Sequence, residues 1–344
     1  MRLEPPMKRV VLDGPGSLAV QEAGEATPGP GEVLVEVAFC GICGSDLHVY
    51  RGKHPFVIYP VTPGHEFSGT VIGVGDGVDQ GIEGARVCVE PSLFCGECGP
   101  CLSGRYNICD DLKVMGFQAP GAMCERLAVP AHHLHPLPPG VSLAAGALVE
   151  PAAVAAHALS RCGVGSGGRI LVVGAGVIGL MVLKVAAARG CRVTMVESSA
   201  ERAKRAGDFG ADDAFVFGEI APEELGRQEF DAVFECVGRP ETIDLAVRAA
   251  PRGGTVVAVG VFPGPVPVPM SLVQDGEIEL IGTLMYMGDD FRKALELVEG
   301  GAVTTGDFVT DTFTLEDVEA AYGRAGESDP GTLKVFVEIK GETA

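Results

Sequence analysis

The period of the apolar positions changes twice along the chain, and the changes divide it. Up to about residue 155 the pattern is one of short alternations, as in E-V-L-V-E-V-A and T-V-I-G-V-G, broken by Gly and Pro. That pattern predicts many half-buried strands and so a β-rich domain. From about 156 to 289, short apolar runs (I-L-V-V, V-T-M-V, A-F-V-F, A-V-F-E-C-V and T-V-V-A-V) alternate with helical stretches. This is the signature of a βα series around a parallel sheet. From about 290 the tail F-R-K-A-L-E-L-V-E-G-G leads through further strand and helix signals to K-V-F-V-E-I. P-L-P-P-G at 136–140 and F-P-G-P-V-P-V-P at 262–269 read as loops, and no internal repeat is present.

Chemistry enters with four cysteines in the run C-G-E-C-G-P-C-L-S-G-R-Y-N-I-C: Cys95, Cys98, Cys101 and Cys109, separated by two, two and seven residues. Two-residue gaps let successive thiolates of a tight turn converge on one zinc ion, and four thiolates fill its tetrahedron. Such a site is closed and therefore structural. A mixed set lies upstream: Cys43, Ser45, Asp46 and His48 in G-I-C-G-S-D-L-H, His65 and Glu66 in P-G-H-E-F-S-G, and Glu150 in V-E-P-A-A-V. One thiolate, one imidazole and one or two carboxylates from separate loops suit a zinc that keeps a coordination position open. Gly41 and Gly44 bracket Cys43 and Gly64 precedes His65, which predicts turns at those places.

The run R-I-L-V-V-G-A-G-V-I-G-L opens the βα series with Gly174, Gly176 and Gly179 between a strand and a helix. There the first glycine permits a tight turn, the second lets a pyrophosphate approach the backbone, and the third allows close helix packing. The next strand, C-R-V-T-M-V-E, ends at Glu197, near the ~20-residue offset at which an acid binds a ribose 2′-hydroxyl. A 2′-phosphate there would meet a like charge, so Glu197 favours NAD over NADP. Arg202 either packs on the adenine face or is a solvated helix residue.

With these motifs in this order, the chain resembles the zinc-dependent medium-chain alcohol dehydrogenases over nearly its whole length. G-I-C-G-S-D-L-H, P-G-H-E-F-S-G and A-L-V-E-P-A-A-V are most similar to the polyol, butanediol and threonine dehydrogenase branch. The resemblance implies an α/β protein in two domains. A GroES-like β-rich catalytic domain spans 1–155 and 290–344, with a structural-zinc lobe at about 92–112, and a Rossmann doubly wound parallel-sheet coenzyme domain spans 156–289. It implies a catalytic zinc on Cys43, His65 and Glu66, with Glu150 a direct ligand or one acting through water, and a second zinc on the four cysteines. It also implies a proton relay from Ser45 through the nicotinamide ribose to His48. The NAD-binding set implied is Gly174, Gly176, Val177, Ile178, Gly179, Glu197, Arg202, Val237 and Gly260. The reaction implied is hydride transfer between NAD and a secondary alcohol or ketone, in a homodimer or homotetramer.

Composition narrows this further. A formal charge of −20 argues against nucleic acid and anionic membranes as partners. Eleven cysteines, with Cys88, Cys162, Cys191 and Cys236 scattered through apolar segments, fit a reducing compartment, hence the cytoplasm. The N-terminus, M-R-L-E-P-P-M-K-R-V-V-L, lacks the apolar stretch of an export signal. The longest uncharged apolar run, 170–183, is shorter than the ~20 residues that cross a bilayer. Substrate preference is marked by one departure: sorbitol-type members carry G-S-F-R-Y, whose arginine binds the polyol, and this chain reads G-T-L-M-Y with Met285 and Tyr286. An apolar Met285 favours a shorter or less polar substrate, such as a vicinal diol or hydroxyketone, unless it is plain core. Phe117 is a candidate wall of the substrate cleft. The alternatives are an L-threonine 3-dehydrogenase-like activity, an NADPH-dependent quinone or enone reductase that needs no metal, and a non-catalytic nucleotide-binding protein. The full ligand set and Glu197 oppose the reductase, and Ser45 and His48 oppose the non-catalytic protein.

Overall fold

A computed structural model describes residues 6–342 and divides the chain into two compact units, Met1–Glu150 with Val298–Ala344, and Pro151–Leu297. The first unit is built on a seven-stranded sheet whose long central strand, Glu32–Ile42, pairs with three neighbours. Glu66–Val74 and Arg126–Pro130 run antiparallel to it, and Lys334–Glu338 pairs antiparallel with its last four residues. The return of the chain into this sheet through Lys334–Glu338 makes the first unit discontinuous. Alternation along these strands buries Val33, Val35 and Val37 together with Phe67, Val71, Val87, Val335 and Val337. Burying such side chains stabilises by about 1.5–3 kcal/mol each before chain entropy is counted.

The second unit carries a six-stranded, wholly parallel sheet. Its spatial order is Asp213–Val216, Arg192–Glu197, Arg169–Val173, Ala232–Glu235, Thr255–Ala258, Glu279–Gly282. Numbered within this unit, that is 3-2-1-4-5-6, the doubly wound order in which ligands sit beyond the carboxyl ends of the strands where the winding reverses. The four inner strands are buried on both faces: Leu171, Val173, Val196, Val233 and Val256 pack with Ile243, Ala246 and Val247, and the alternate residues Ile170, Val172 and Val257 are buried as well. Glu279–Gly282 lies at the sheet end with Leu280 exposed.

The stretch Leu143–Cys162 is long and apolar enough by composition to cross a membrane, yet 78% of its window is buried within the protein. Glu150 and Arg161 interrupt it, so it forms no long uncharged run.

Candidate active site

The cysteine lobe is a loop closed by the short ladder of Ser92–Leu93 with Lys113–Val114. Gly96 and Gly104, at φ 77° each, make its reversals, and Cys98 caps the turn Gly99–Leu102. The sulfurs of Cys95, Cys98, Cys101 and Cys109 all lie within 4.8 Å of one another. Cys109 Sγ stands 3.5 Å from that of Cys95 and 3.9 Å from that of Cys98. A zinc–sulfur bond of about 2.3 Å gives a tetrahedron with edges of about 3.8 Å, so the four thiols fit that ion. Backbone N–H groups of Cys95, Cys98 and Asp111 already point at the sulfurs, each at 3.4 Å. Backbone N–H groups of Asp110 and Cys101 hold the Cys98 thiol down to about 7, on the way to the thiolate that zinc requires.

The mixed set converges as well, though not on loops. Cys43 is the extended N-cap residue of the helix Gly44–Tyr50, His65 directly precedes the strand Glu66–Val74, and Glu66 opens that strand. Gly41, expected in a turn, lies in the central strand opposite Glu66. A Cβ there would stand 2.2 Å from Glu66 Oε2, so the missing side chain is what lets the carboxylate occupy this place. Gly64 does make a turn, at φ 100°. Donor atoms of Cys43, His65 and Glu66 lie within 4.8 Å of one another. Glu150, in the first turn of the helix Val149–Cys162, is buried but stands outside that group. Its charge still helps to raise the pKa values of His65 and Lys334.

Asp46, already named in the upstream set, and one residue that spacing did not reveal, Lys334, complete the surroundings. Asp46 accepts the Cys43 N–H at 2.9 Å with Oδ2, and its Oδ1 lies 3.7 Å from His65 Nδ1. Both of those facing atoms are buried without a hydrogen bond. A carboxylate behind one imidazole nitrogen is the usual support of a histidine that binds metal through the other. Lys334 is 2% exposed and sits 2.7 Å from both oxygens of Glu66, with a further bond to Ile42 O at 3.3 Å. Burial alone would lower the Lys334 pKa, but Glu66, Cys43 and Glu150 outweigh it and raise it. One thiol and three carboxylates are thus gathered around a single lysine and an imidazole, a charge balance that a divalent cation at Cys43, His65 and Glu66 would relieve. The residues fit zinc.

Ser45 and His48 stand three apart on the helix Gly44–Tyr50, so they share a face, while Asp46 on the same helix is buried. The Phe117 ring lies 4.9 Å from that of His65. Nearby, a cavity of about 290 Å³ is lined by Arg9, Phe56, Ile58, Thr62, Phe117 and Gln118 among others, but by none of the three metal-binding candidates.

In the second unit each glycine of the fingerprint has a visible reason. Gly174 has φ 103°, and a Cβ on it would stand 2.5 Å from Val237 Cγ2. Gly176 caps the helix Val177–Ala188 and faces open space. A Cβ on Gly179 would stand 1.9 Å from Gly174 O. Val177 and Ile178 form the first turn of that helix, half-buried. Glu197, at the end of its strand, accepts the Ala175 N–H at 2.8 Å, the Ser198 hydroxyl at 2.8 Å and the Ser199 N–H at 3.0 Å. Burial would raise its pKa, but these donors and the charge of Arg202 hold it below the usual carboxylate range. Arg202 is in the first turn of the helix Ala200–Asp208, half-exposed. Val237, 40% exposed, follows the strand Ala232–Glu235, and Gly260 follows Thr255–Ala258, both past carboxyl ends of the sheet. Beneath them Glu235, which the motifs did not reveal, is fully buried and accepts the N–H groups of Val237 and Gly238 and the Thr242 hydroxyl.

Comparison with known proteins agrees with both units. Residues 29–139 match the family described as Alcohol dehydrogenase GroES-like domain, and residues 177–300 match the family described as Zinc-binding dehydrogenase. The chain is 34% identical to the 2-dehydro-3-deoxy-L-galactonate 5-dehydrogenase of Pseudoalteromonas atlantica, over 96% of this chain and 98% of that one. It is 34% identical to the sorbitol dehydrogenase of Halalkalibacterium halodurans, over 90% and 92%. Among solved structures, a putative zinc-binding dehydrogenase from Sinorhizobium meliloti bound to NADP superposes with a TM-score of 0.90 at 32% identity, covering 97% of this chain and all of that one. Two family matches, relatives aligned nearly end to end and a shared fold place this chain among the zinc-type medium-chain alcohol dehydrogenases.

Proposed function

We propose that this enzyme transfers a hydride between NAD and a secondary alcohol that carries further oxygens, a vicinal diol, polyol or sugar acid. The observation that carries the reading is the convergence of half-buried Cys43 with buried His65 and Glu66, with Asp46 behind the imidazole. Cys43, His65 and Glu66 hold the catalytic zinc, Glu150 stands behind them, and the four cysteines hold a structural one. When bound, zinc supplies the positive charge that lowers the pKa of an alcohol hydroxyl, and the nicotinamide supplies the hydride acceptor. Asp46 fixes the orientation of His65, so that its free nitrogen faces the metal side. Ser45 takes the alcohol proton, and His48, on the same helix face, passes it toward solvent. The glycine turn and the first turn of the following helix, with Val177 and Ile178, bind the pyrophosphate. Glu197 accepts the ribose 2′-hydroxyl, Arg202 flanks the adenine, and Val237 and Gly260 line the crevice. An ionised Glu197 favours NAD, although a relative that binds NADP makes the comparison of both cofactors necessary.

The exposed end strand Glu279–Gly282, with Leu280 and Leu284 outward, supports a homodimer or homotetramer. The eleven unpaired thiols support a reducing cytoplasm. The domain roles follow the same reading, with 1–155 and 290–344 catalytic and 156–289 coenzyme-binding. The test is reduction of NAD, with NADP in parallel, over 2,3-butanediol, sorbitol, xylitol and threonine, before and after chelation, on protein sized in solution. Turnover of a diol or polyol with NAD, abolished by chelation and restored by zinc, is the expected result. A preparation with two zincs per chain that turns over none of the panel would overturn the reading.

A further inference from the structure

His54 takes part in none of the chemistry above, yet it sits beside it. The chain leaves the helix Gly44–Tyr50 through Gly52, at φ 68°, and the Lys53 N–H closes the turn on His48 O at 2.8 Å. His54 then stacks on Phe117, with ring centroids 4.7 Å apart and 26° between planes. The same Phe117 ring lies 4.9 Å from that of His65, so one aromatic ring stands between His54 and the metal-binding histidine.

The loop is held in place. Gln118 Nε2 donates to Phe56 O at 3.3 Å while Gln118 Oε1 accepts the Val114 N–H at 3.0 Å. Phe56, Phe117 and Gln118 also wall the cavity of about 290 Å³, so open space adjoins the stack.

The hydrogen bonding of the imidazole follows from its neighbours. The Phe56 N–H reaches His54 Nδ1 at 3.4 Å, and a backbone N–H can only donate. Nδ1 therefore offers its lone pair, and the proton of the neutral ring resides on Nε2. Burial, with the charges of His48 and His65, lowers the His54 pKa. Nε2 bonds no other described residue, and the side chain is half-exposed, so this N–H is open to water or to a ligand. One aromatic ring away from the metal-binding histidine there is thus a donor that a ligand can reach.

We propose that His54 is a specificity-determining residue that gives its Nε2–H to a second oxygen of the substrate, so that diols and polyols are preferred over alcohols with one oxygen. This rests on the zinc-alcohol reading above, and it adds which group of the chain recognises the rest of the substrate. An oxygen acceptor satisfies the donor, whereas a methyl group in its place leaves it desolvated and unpaired.

The test compares kcat/KM on 2,3-butanediol and on 2-butanol for the wild type, His54→Phe, which keeps the stack but removes the N–H, and His54→Gln, which keeps a terminal donor. Zinc content and melting temperature are measured on each. His54→Phe is expected to lose about three- to tenfold on the diol, mostly through KM, with 2-butanol turnover and zinc content unchanged and part of the loss recovered in His54→Gln. An equal loss on both alcohols would make His54 a structural residue and overturn the proposal, as would no loss on the diol. Wild-type protein that oxidises 2-butanol better than the diol would overturn it while leaving the dehydrogenase reading intact, and failure on 2-butanol and on every member of the panel above would remove both.

Discussion

At the scale of single residues, the pairing of Lys334 with Glu66 decides how the metal site behaves without metal. Both groups are almost wholly buried, so the Coulombic gain and the desolvation cost are each large and their difference small. Removing only one partner exposes the whole cost. Lys334→Met is therefore expected to destabilise the metal-free protein by about 3–5 kcal/mol, through an uncompensated Glu66. Zinc at Cys43, His65 and Glu66 restores a cation, so the loss in the zinc-loaded protein should be smaller. Urea unfolding of both forms checks this, and equal losses would mean that Glu66 does not face the metal. Cys43, His65 and Glu66 were legible because each lies in a short run of glycine and ligand-type residues. Lys334 was not, since its partner is 268 residues away and a lysine at the start of an apolar strand reads locally as a solvated strand end. Only the register, in which Gly41 faces Glu66 on one side and Phe336 on the other, brings the two strands' charges together.

Between elements, the second unit uses one buried carboxylate to join two helices. Asp290, in the first turn of the helix Gly288–Glu299, binds His157 Nδ1 at 2.7 Å and accepts the Ser160 hydroxyl at 2.9 Å, both from the helix Val149–Cys162. Burial alone would raise the Asp290 pKa, but hydrogen bonds from His157 and Ser160 and the charges of His157 and Lys293 hold it down to about 2. A carboxylate whose pKa is lower folded than unfolded stabilises at pH values above its unfolded value, near 3.9, and that stabilisation is lost as pH falls through the folded value. The wild type is thus expected to exceed Asp290→Asn by about 1–2 kcal/mol at pH 6, allowing for screening on the Lys293 side. The excess should shrink between about pH 4 and pH 2. Urea titrations of the two proteins across that range check it, and a pH-independent difference would assign the effect to packing. Periodicity made the alternation of strands with helices from about 156 legible, because each element is set by its neighbouring residues, but it missed the start of the helix Val149–Cys162, which the change of pattern left in the β-rich domain with Glu150 on a loop. It could not supply the pairing of His157 with Asp290, which depends on how two helices are placed in space.

For the whole molecule, charge is the property with the largest consequence. Acids outnumber bases by 46 to 26. Ion pairs relieve part of this, as where Arg324 meets Asp311, Glu327 and Asp329, and where Lys340 meets Glu125, but these pairs are exposed or half-exposed. Added salt acts on both sides of the balance: it weakens such pairs and it screens the repulsion among the unpaired carboxylates. Exposed pairs contribute little singly, whereas twenty uncompensated negative charges repel over many separations, and the Debye length falls from about 30 Å at 0.01 M to about 3 Å at 1 M. Screening of repulsion should win. The melting temperature is expected to rise steadily with NaCl from 10 mM to 1 M, and to rise alike with KCl, since the effect is one of ionic strength. A melting temperature that falls with salt would show that the ion pairs outweigh the repulsion. A rise with sulfate but not with chloride would assign the effect to excluded-salt strengthening of apolar burial instead.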